Sequence, residues 1–302
     1  MEMVREATVG SSGLRVSTLG LGTTTWGRST PESEATEILK VFRNAGGTLI
    51  DVSPSAVDII ARQLVTDRHE FVVSVSSGVN PAAPFGQRVD CSRRNLLHQL
   101  DTTLQRLNTD YIDLWNVGYW DPHTPPDEVA DTLAHMIQVG KVRYAGVRGY
   151  NGWQLAVTRH RDIISAQAPY NLLQRSIETD LLPAAQYLGV GVIAGAPLAQ
   201  GVLSGQYRRN IPGTSRAASP EVYADVHGLI PESHAVVEAL KTAAEGLGIS
   251  TAITAASWVI SQPGISAMIA TPRTTHHCRE LITSADVTIP RTISKAFDDV
   301  TL

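Results

Sequence analysis

Residues 111–149 read YIDLWNVGYWDPHTPPDEVADTLAHMIQVGKVRYAGVRG. Two short, largely apolar runs, Tyr111–Gly118 and Tyr144–Gly149, flank Glu128–Val139, whose apolar residues recur at helical spacing. Parallel strands buried on both faces have that near-continuous apolar character, and a helix usually carries the chain back before a second parallel strand begins. The stretch predicts one strand–helix–strand unit.

The same rhythm extends in both directions. Thr18–Gly22, Thr48–Ser53 and Phe71–Ser76 precede the unit, and Ile164–Pro169, Gly191–Ala196 and Ile265–Ala270 follow it. Thr18–Gly22, with only Leu19 and Leu21, is the weakest strand signal of the set. Between them, Pro31–Ala45 places Ala35, Ile38, Leu39 and Phe42 on one face. Ser92–Leu107 does so with Leu96, Leu97, Leu100, Leu104 and Leu107, behind a capping Ser92, and Glu232–Leu247 reads likewise. Eight strands alternating with helices, without a break in composition, predict an α/β fold. The expected form is a closed (β/α)8 TIM barrel, a single domain over residues 1–302. An open doubly wound sheet would need a GxGxxG turn after an early strand, which Gly20-Leu-Gly22 and the threonines after it do not supply. Ala7–Ser17 predicts an N-terminal β-hairpin with a Gly/Ser turn, and Gly205–Leu229 is the one long connection, of a length that suits a lid.

Composition narrows the partners. The chain has 302 residues, 43% of them hydrophobic, and a formal net charge of -4, which gives no electrostatic case for nucleic acid or an anionic membrane. Its two cysteines, Cys91 and Cys278, are far apart and lack a CxxC companion, which suits a reducing cytoplasm. The charged N-terminus does not read as a signal peptide, and no apolar run is long enough to span a bilayer. A small-molecule ligand and a cytoplasmic location are expected; the oligomeric state is not encoded. His276-His277 lacks a ligand set at metal-like spacing, so no metal is expected.

Gly13-Leu-Arg-Val-Ser17, Ala45-Gly-Gly-Thr-Leu-Ile-Asp51 and Thr109-Asp-Tyr-Ile-Asp-Leu-Trp115 resemble, in order, segments of the aldo-keto reductase family. So do Gly140-Lys-Val-Arg-Tyr-Ala-Gly-Val147, Gln167-Ala-Pro-Tyr-Asn-Leu-Leu173 and Pro197-Leu-Ala-Gln-Gly-Val-Leu-Ser-Gly205. The resemblance implies an NADP(H)-dependent carbonyl reductase with an Asp, Tyr, Lys and His tetrad. The Tyr would protonate the carbonyl oxygen, the Lys, held by the Asp, would lower the Tyr pKa, and the His would orient substrate.

Carried over residue by residue, the resemblance keeps Asp51 and loses its companions. Ala56 stands where the Tyr is expected, in a shortened loop, and no Tyr occurs between Asp51 and Tyr111. Ser76 stands at the Lys position, with no Lys between Lys40 and Lys141, and Gly118 stands at the His position. Arg148-Gly149 replaces the Ser-Asn pair that would hold the nicotinamide amide, and Gly195 replaces the ring that would stack on it. Gln167 and Leu198 remain in the cofactor set, Arg273 and Thr274 suit a 2′-phosphate, and Glu280 lies near the adenine contact beside Leu281. The resemblance thus implies an adenosine end that is partly kept and a nicotinamide end that is dismantled, which makes NADP(H) a doubtful cofactor.

Arg148 ends a strand facing the same mouth as Asp51, and the two are the expected catalytic pair, as an ion pair or a two-sided recognition site. Ser53, Ser76, Tyr119, Trp120 and His123 are the expected substrate-binding set, with Ser55 and Ser77 grouped beside the first two. Against this stand plainer readings: a structural ion pair, small residues filling vacated space, and aromatic packing. Arg175 is expected to pair with Glu178. Three functions stay open. One is a repurposed small-molecule-binding barrel with non-redox or lost chemistry. Another is an NADP-dependent oxidoreductase whose proton comes from Tyr119, Tyr170, Tyr207 or Tyr223. The third is a structural or regulatory pseudoenzyme subunit.

Overall fold

The computed structural model describes residues 3–80, 82–84, 86–207, 211, 213, 215–218 and 223–301. A hairpin comes first: β1 (Glu6–Thr8) and β2 (Arg15–Ser17) pair antiparallel, with Ala7 opposite Val16. Eight parallel strands follow. They are β3 (Leu19–Gly22), β4 (Leu49–Val52), β5 (Val72–Ser77), β6 (Ile112–Gly118), β7 (Val142–Arg148), β8 (Ile163–Pro169), β9 (Gly191–Gly195) and β10 (Ile265–Ala270). Each pairs with the next, and β10 pairs with β3 to close the barrel. The expected (β/α)8 TIM barrel with an N-terminal hairpin is the architecture observed, down to the sparsely apolar first strand.

Helices cover the outside. The helix Glu32–Asn44 buries Ala35, Ile38, Leu39 and Phe42, the face its sequence pattern picks out. Arg93–Leu107 begins at Ser92, whose hydroxyl accepts from the Asn95 amide. Pro126–Gln138 starts two residues before the periodic pattern, because Pro126 is tolerated in the first turn. His234–Leu247 lies within the stretch expected over Glu232–Leu247, and Val57–Gln63, Gly152–Val157, Leu181–Leu188, Thr251–Ser261, Thr275–Ser284 and Arg291–Thr301 are further helices of the shell. Arg175 pairs with Glu178 (2.8 Å), as expected, and also with Asp298 (2.8 Å), tying the last helix to the barrel wall.

Strand alternation sorts the barrel into an interior and a wall. Val73, Val75, Trp115, Val117 and Val147 face the helices and join the large outer core. Leu49, Leu114, Ile193, Ala267 and Ile269 face inward, where Val9, Leu14 and Val16 of the hairpin segment pack on them. The hairpin therefore plugs the N-terminal end with apolar side chains, each worth roughly 1.5–3 kcal/mol when fully buried. The C-terminal end stays polar. Of the long connection expected over Gly205–Leu229, residues 208–210, 212, 214 and 219–222 lie outside the described residues, and the remainder includes a helix at Tyr223–Leu229. Among the described residues no single helix is long and apolar enough to cross a membrane.

Candidate active site

Asp51, near the end of β4, points into the barrel and is 6% exposed. Its Oδ1 accepts from the Ser74 hydroxyl at 3.1 Å. The Ser74 oxygen in turn accepts from the Asn116 amide at 3.1 Å, and Asn116 Oδ1 accepts from Ser165 at 3.4 Å. Asp51, Ser74, Asn116 and Ser165 are all buried, so β4, β5, β6 and β8 are linked by one polar chain across the lumen. Gly146 on β7 makes room for it: a Cβ there would lie 2.1 Å from Ser165 Oγ and 2.3 Å from Asn116 Oδ1. Ser74, Asn116 and Ser165 were not singled out from sequence; the signal for them is that they share strand parity with Ser76, Gly118 and Gln167.

Arg148 ends β7 and sends Nη1 to 3.7 Å from Asp51 Oδ2. Sequence reasoning expected these two side chains to meet, and they do. The separation is that of an ion pair without a direct hydrogen bond. Arg148 keeps 35% of its side chain exposed while Asp51 keeps 7%, so the pair is sunk at its acidic end and open at its basic end.

The other expected substrate residues separate into two groups. Ser76, two residues above Ser74 on the inner face of β5, has a covered hydroxyl with no hydrogen-bond partner. Ser53 is turned toward β3, donating to the Thr23 carbonyl at 2.9 Å and meeting Ser55 Oγ at 3.2 Å. The grouping with Ser77 does not hold: alternation turns Ser77 outward, where it accepts from Trp115 Nε1 at 2.9 Å.

The loop after β6 carries the remaining members. Tyr119 takes a left-handed backbone (φ 65°), donates its amide to the Arg148 carbonyl at 2.6 Å and is 49% exposed. Its ring lies over Gly149, where a Cβ would come within 2.7 Å of it. Trp120 packs edge-on against Tyr150 and Trp153, with centroids 5.6 and 5.0 Å away. His123 is exposed, and its amide donates to Asp121 Oδ1 at 2.9 Å. Among the described residues neither Trp120 nor His123 forms a hydrogen bond or ion pair with Asp51 or Arg148. Of the alternative proton donors, Tyr170 donates to Glu178 at 2.6 Å, and burial, with that carboxylate beside it, pushes its pKa up. Tyr207 is buried with its hydroxyl toward the Gln200 carbonyl, 3.5 Å away; the Tyr223 side chain lies outside the described residues.

The cofactor set can be tested for fit. Gln167 is buried in register with Arg148, and its carbonyl accepts from the Gly149 amide at 2.8 Å. Leu198 is half-buried, its carbonyl accepting from Gly201 at 2.8 Å. Arg273 Nε is buried with no partner, and Thr274 caps the helix Thr275–Ser284 by accepting from His277 at 3.2 Å. Glu280 lies 3.9 Å from His276 on that helix. The orphaned Arg273 and the helix N-terminus fit a phosphate. The Glu34 carboxylate, however, already takes the Thr275 amide at 2.7 Å, placing a competing anion there, a residue sequence reasoning missed. At the other end a nicotinamide amide would meet the Arg148 guanidinium where the resemblance implies Ser and Asn. The residues fit the adenosine half and not the nicotinamide half.

A closed parallel barrel with its polar groups gathered at the C-terminal strand ends is a (β/α)8 scaffold of the enzyme type. The pattern of the Aldo/keto reductase family matches residues 18–301, and the chain belongs to that family. It is 29% identical to the uncharacterized oxidoreductase YrpG of Bacillus subtilis (strain 168), over 97% of this chain and 94% of that protein. It is 31% identical to the L-glyceraldehyde 3-phosphate reductase of Escherichia coli (strain K12), over 86% of this chain and 81% of that one. A probable voltage-gated potassium channel subunit beta of Oryza sativa subsp. japonica is also 31% identical, over 86% of this chain and 85% of its own length.

Proposed function

We propose that this aldo-keto reductase is a small-molecule-binding barrel whose chemistry departs from conventional carbonyl reduction, acting in the cytoplasm on a low-molecular-weight ligand. One observation carries the reading: Asp51 finds its cation in Arg148 on β7, while Ser76 stands on the inner face of β5 and Gly118 pairs with Arg148 on β6. Reduction of a carbonyl needs a proton donor at the developing alkoxide. A guanidinium at Arg148 can stabilise an anion through its N–H fork but is not a proton donor of the kind that step needs. Asp51 and Arg148 then act as a paired acid–base and anion clamp, in non-redox chemistry or in binding alone. Arg273, Thr274, Gln167, Leu198 and Glu280 would hold what remains of an NADP(H) site, and a bound dinucleotide would supply hydride chemistry.

Titration with NADPH, followed through Trp120 and Trp153 fluorescence, tests this together with turnover of a neutral aldehyde. The expected outcome is no saturable aldehyde reduction. Tight binding with turnover would overturn the proposal and favour a second reading, an oxidoreductase whose proton comes from Tyr119. That reading draws on the exposed Tyr119, whose hydroxyl has no hydrogen-bond partner among the described residues, and on the oxidoreductases among the relatives. A regulatory, non-catalytic role draws on the relatives named as channel beta subunits. It would gain if Asp51→Ala and Arg148→Ala left the cellular phenotype unchanged.

A further inference from the structure

Among the described residues the N–H fork of Arg148 meets no hydrogen-bond acceptor, and the charged group paired with it, Asp51, stands off at 3.7 Å. A guanidinium in that state is unusual, because the fork is shaped to hold two oxygens of one carboxylate side by side. Its surroundings add donors more than acceptors. The Ser76 hydroxyl is covered and unpartnered, on a residue that is itself partly exposed. The Gln167 side chain, in register with Arg148, has no hydrogen-bond partner among the described residues. Asp51 has already committed Oδ1 to Ser74.

Gly118 leaves a side chain out between Ser76 and Arg148, and a Cβ there would already meet the Ser77 carbonyl and Val79 Cγ2 at 3.3 Å. Gly118 pairs with Arg148 across β6 and β7, and a Cβ on Gly118 would lie 3.9 Å from Ser76 Cβ. Ser76, Gly118 and Arg148 thus form a stepped row across three adjacent strands, Ser76 being in register with Asn116, one inward position below Gly118. We propose that this row binds a small carboxylate, its two oxygens on the Arg148 fork, with Ser76 and Gln167 donating alongside. The proposal rests on the reading of the site given above and supplies its ligand class. A monoanion is favoured over phosphate at Arg148 by charge: this cation stands beside the acid Asp51, while the second arginine of the mouth, Arg273, lies past β10 at the helix N-terminus that fits a phosphate. A dianion would meet a pair that is already neutral.

The test titrates the full chain with acetate, pyruvate and benzoate, and with the matching neutral amides, by Trp fluorescence and by NMR. At least one acid is expected to saturate, binding on the order of tenfold to a hundredfold tighter than its amide, as charge-assisted hydrogen bonds would give. Arg148→Gln should bring the acid down to the level of the amide, and Arg148→Lys should recover part of the difference. Ser76→Ala should weaken the acid severalfold without lowering the unfolding midpoint, because it removes a hydroxyl that has no partner; that pairing separates ligand contact from a structural role. Equal binding of acid and amide, no saturation by any of the acids, or tighter binding of inorganic phosphate that Arg148→Gln abolishes would overturn the ligand class. Aldehyde turnover with NADPH would instead overturn the reading beneath it.

Discussion

Arg148 reaches across the lumen from β7 to place Nη1 3.7 Å from Oδ2 of Asp51 on β4, with β5 and β6 between them around the wall. An interior contact between non-neighbouring strands constrains the mouth more than a surface pair would. It also leaves the acid dependent on one cation and one hydroxyl.

Removing that cation should therefore cost stability. Arg148→Ala leaves a nearly buried carboxylate with Ser74 alone, and a loss of about 1–3 kcal/mol is expected, discounted from a fully buried pair because the guanidinium is one-third exposed. Asp51→Asn combined with Arg148→Gln should recover much of the loss, since no charge is then stranded. Urea unfolding of the two singles and the double gives the coupling energy, and simple additivity would argue against the interaction.

Gly146→Ala probes the polar chain behind the pair. Its methyl would come within 2.1 Å of Ser165 Oγ and 2.3 Å of Asn116 Oδ1, both on rigid strands. Overpacking of this kind typically costs about 1–3 kcal/mol. The Ser165–Asn116–Ser74 relay to Asp51 should break with it. A lowered urea midpoint is expected, with a larger loss than for Gly246→Ala in the helix His234–Leu247, where a Cβ meets no neighbour and the backbone is ordinary.

Much of this architecture was legible because buried parallel strands and amphipathic helices write different periods into the chain. Asp51 and Arg148 were legible through the family resemblance, Asp51 as the acid it keeps and Arg148 in place of a small polar residue, both at strand ends that face one mouth. What was not legible is which face each small polar residue takes. Ser74, Ser76 and Ser77 look alike in sequence, yet a one-residue step decides whether a serine meets Asp51 or, like Ser77, Trp115. Only the register of β5 against its neighbours settles that step. Glu34 escaped notice for another reason: its partner, Thr275, is 241 positions away, and no local pattern links them.

Cys91 and Cys278 should both be inert in the native state. Burial pushes each thiol up to about 12, with Asp121 and Asp90 adding to the effect at Cys91, and both residues are at most 1% exposed. At mildly alkaline pH neither forms the thiolate that reacts. A disulfide exchange reagent at about pH 8 should titrate no thiol in the folded chain and both in denaturant. Rapid labelling of either without unfolding would contradict this burial.

Asp121 supplies the pH dependence of the loop that presents Tyr119, Trp120 and His123. Burial alone would raise its pKa. The amides of Cys91 and His123 and the Thr124 hydroxyl, at 2.9, 2.9 and 2.7 Å, outweigh burial and hold the carboxyl below the usual carboxylate range. A depressed folded value means that the stabilisation is complete above the unfolded pKa, near about 3.9, and is lost as pH falls through the lower folded value. Asp121→Ala should therefore cost about 1–3 kcal/mol at neutral pH, since it strands three donors. The gap to the wild-type chain should narrow as pH drops below about 4. Urea midpoints measured from about pH 7 to about pH 3 follow it, and a gap that stayed constant over that range would show that the ionised carboxylate does not hold the loop.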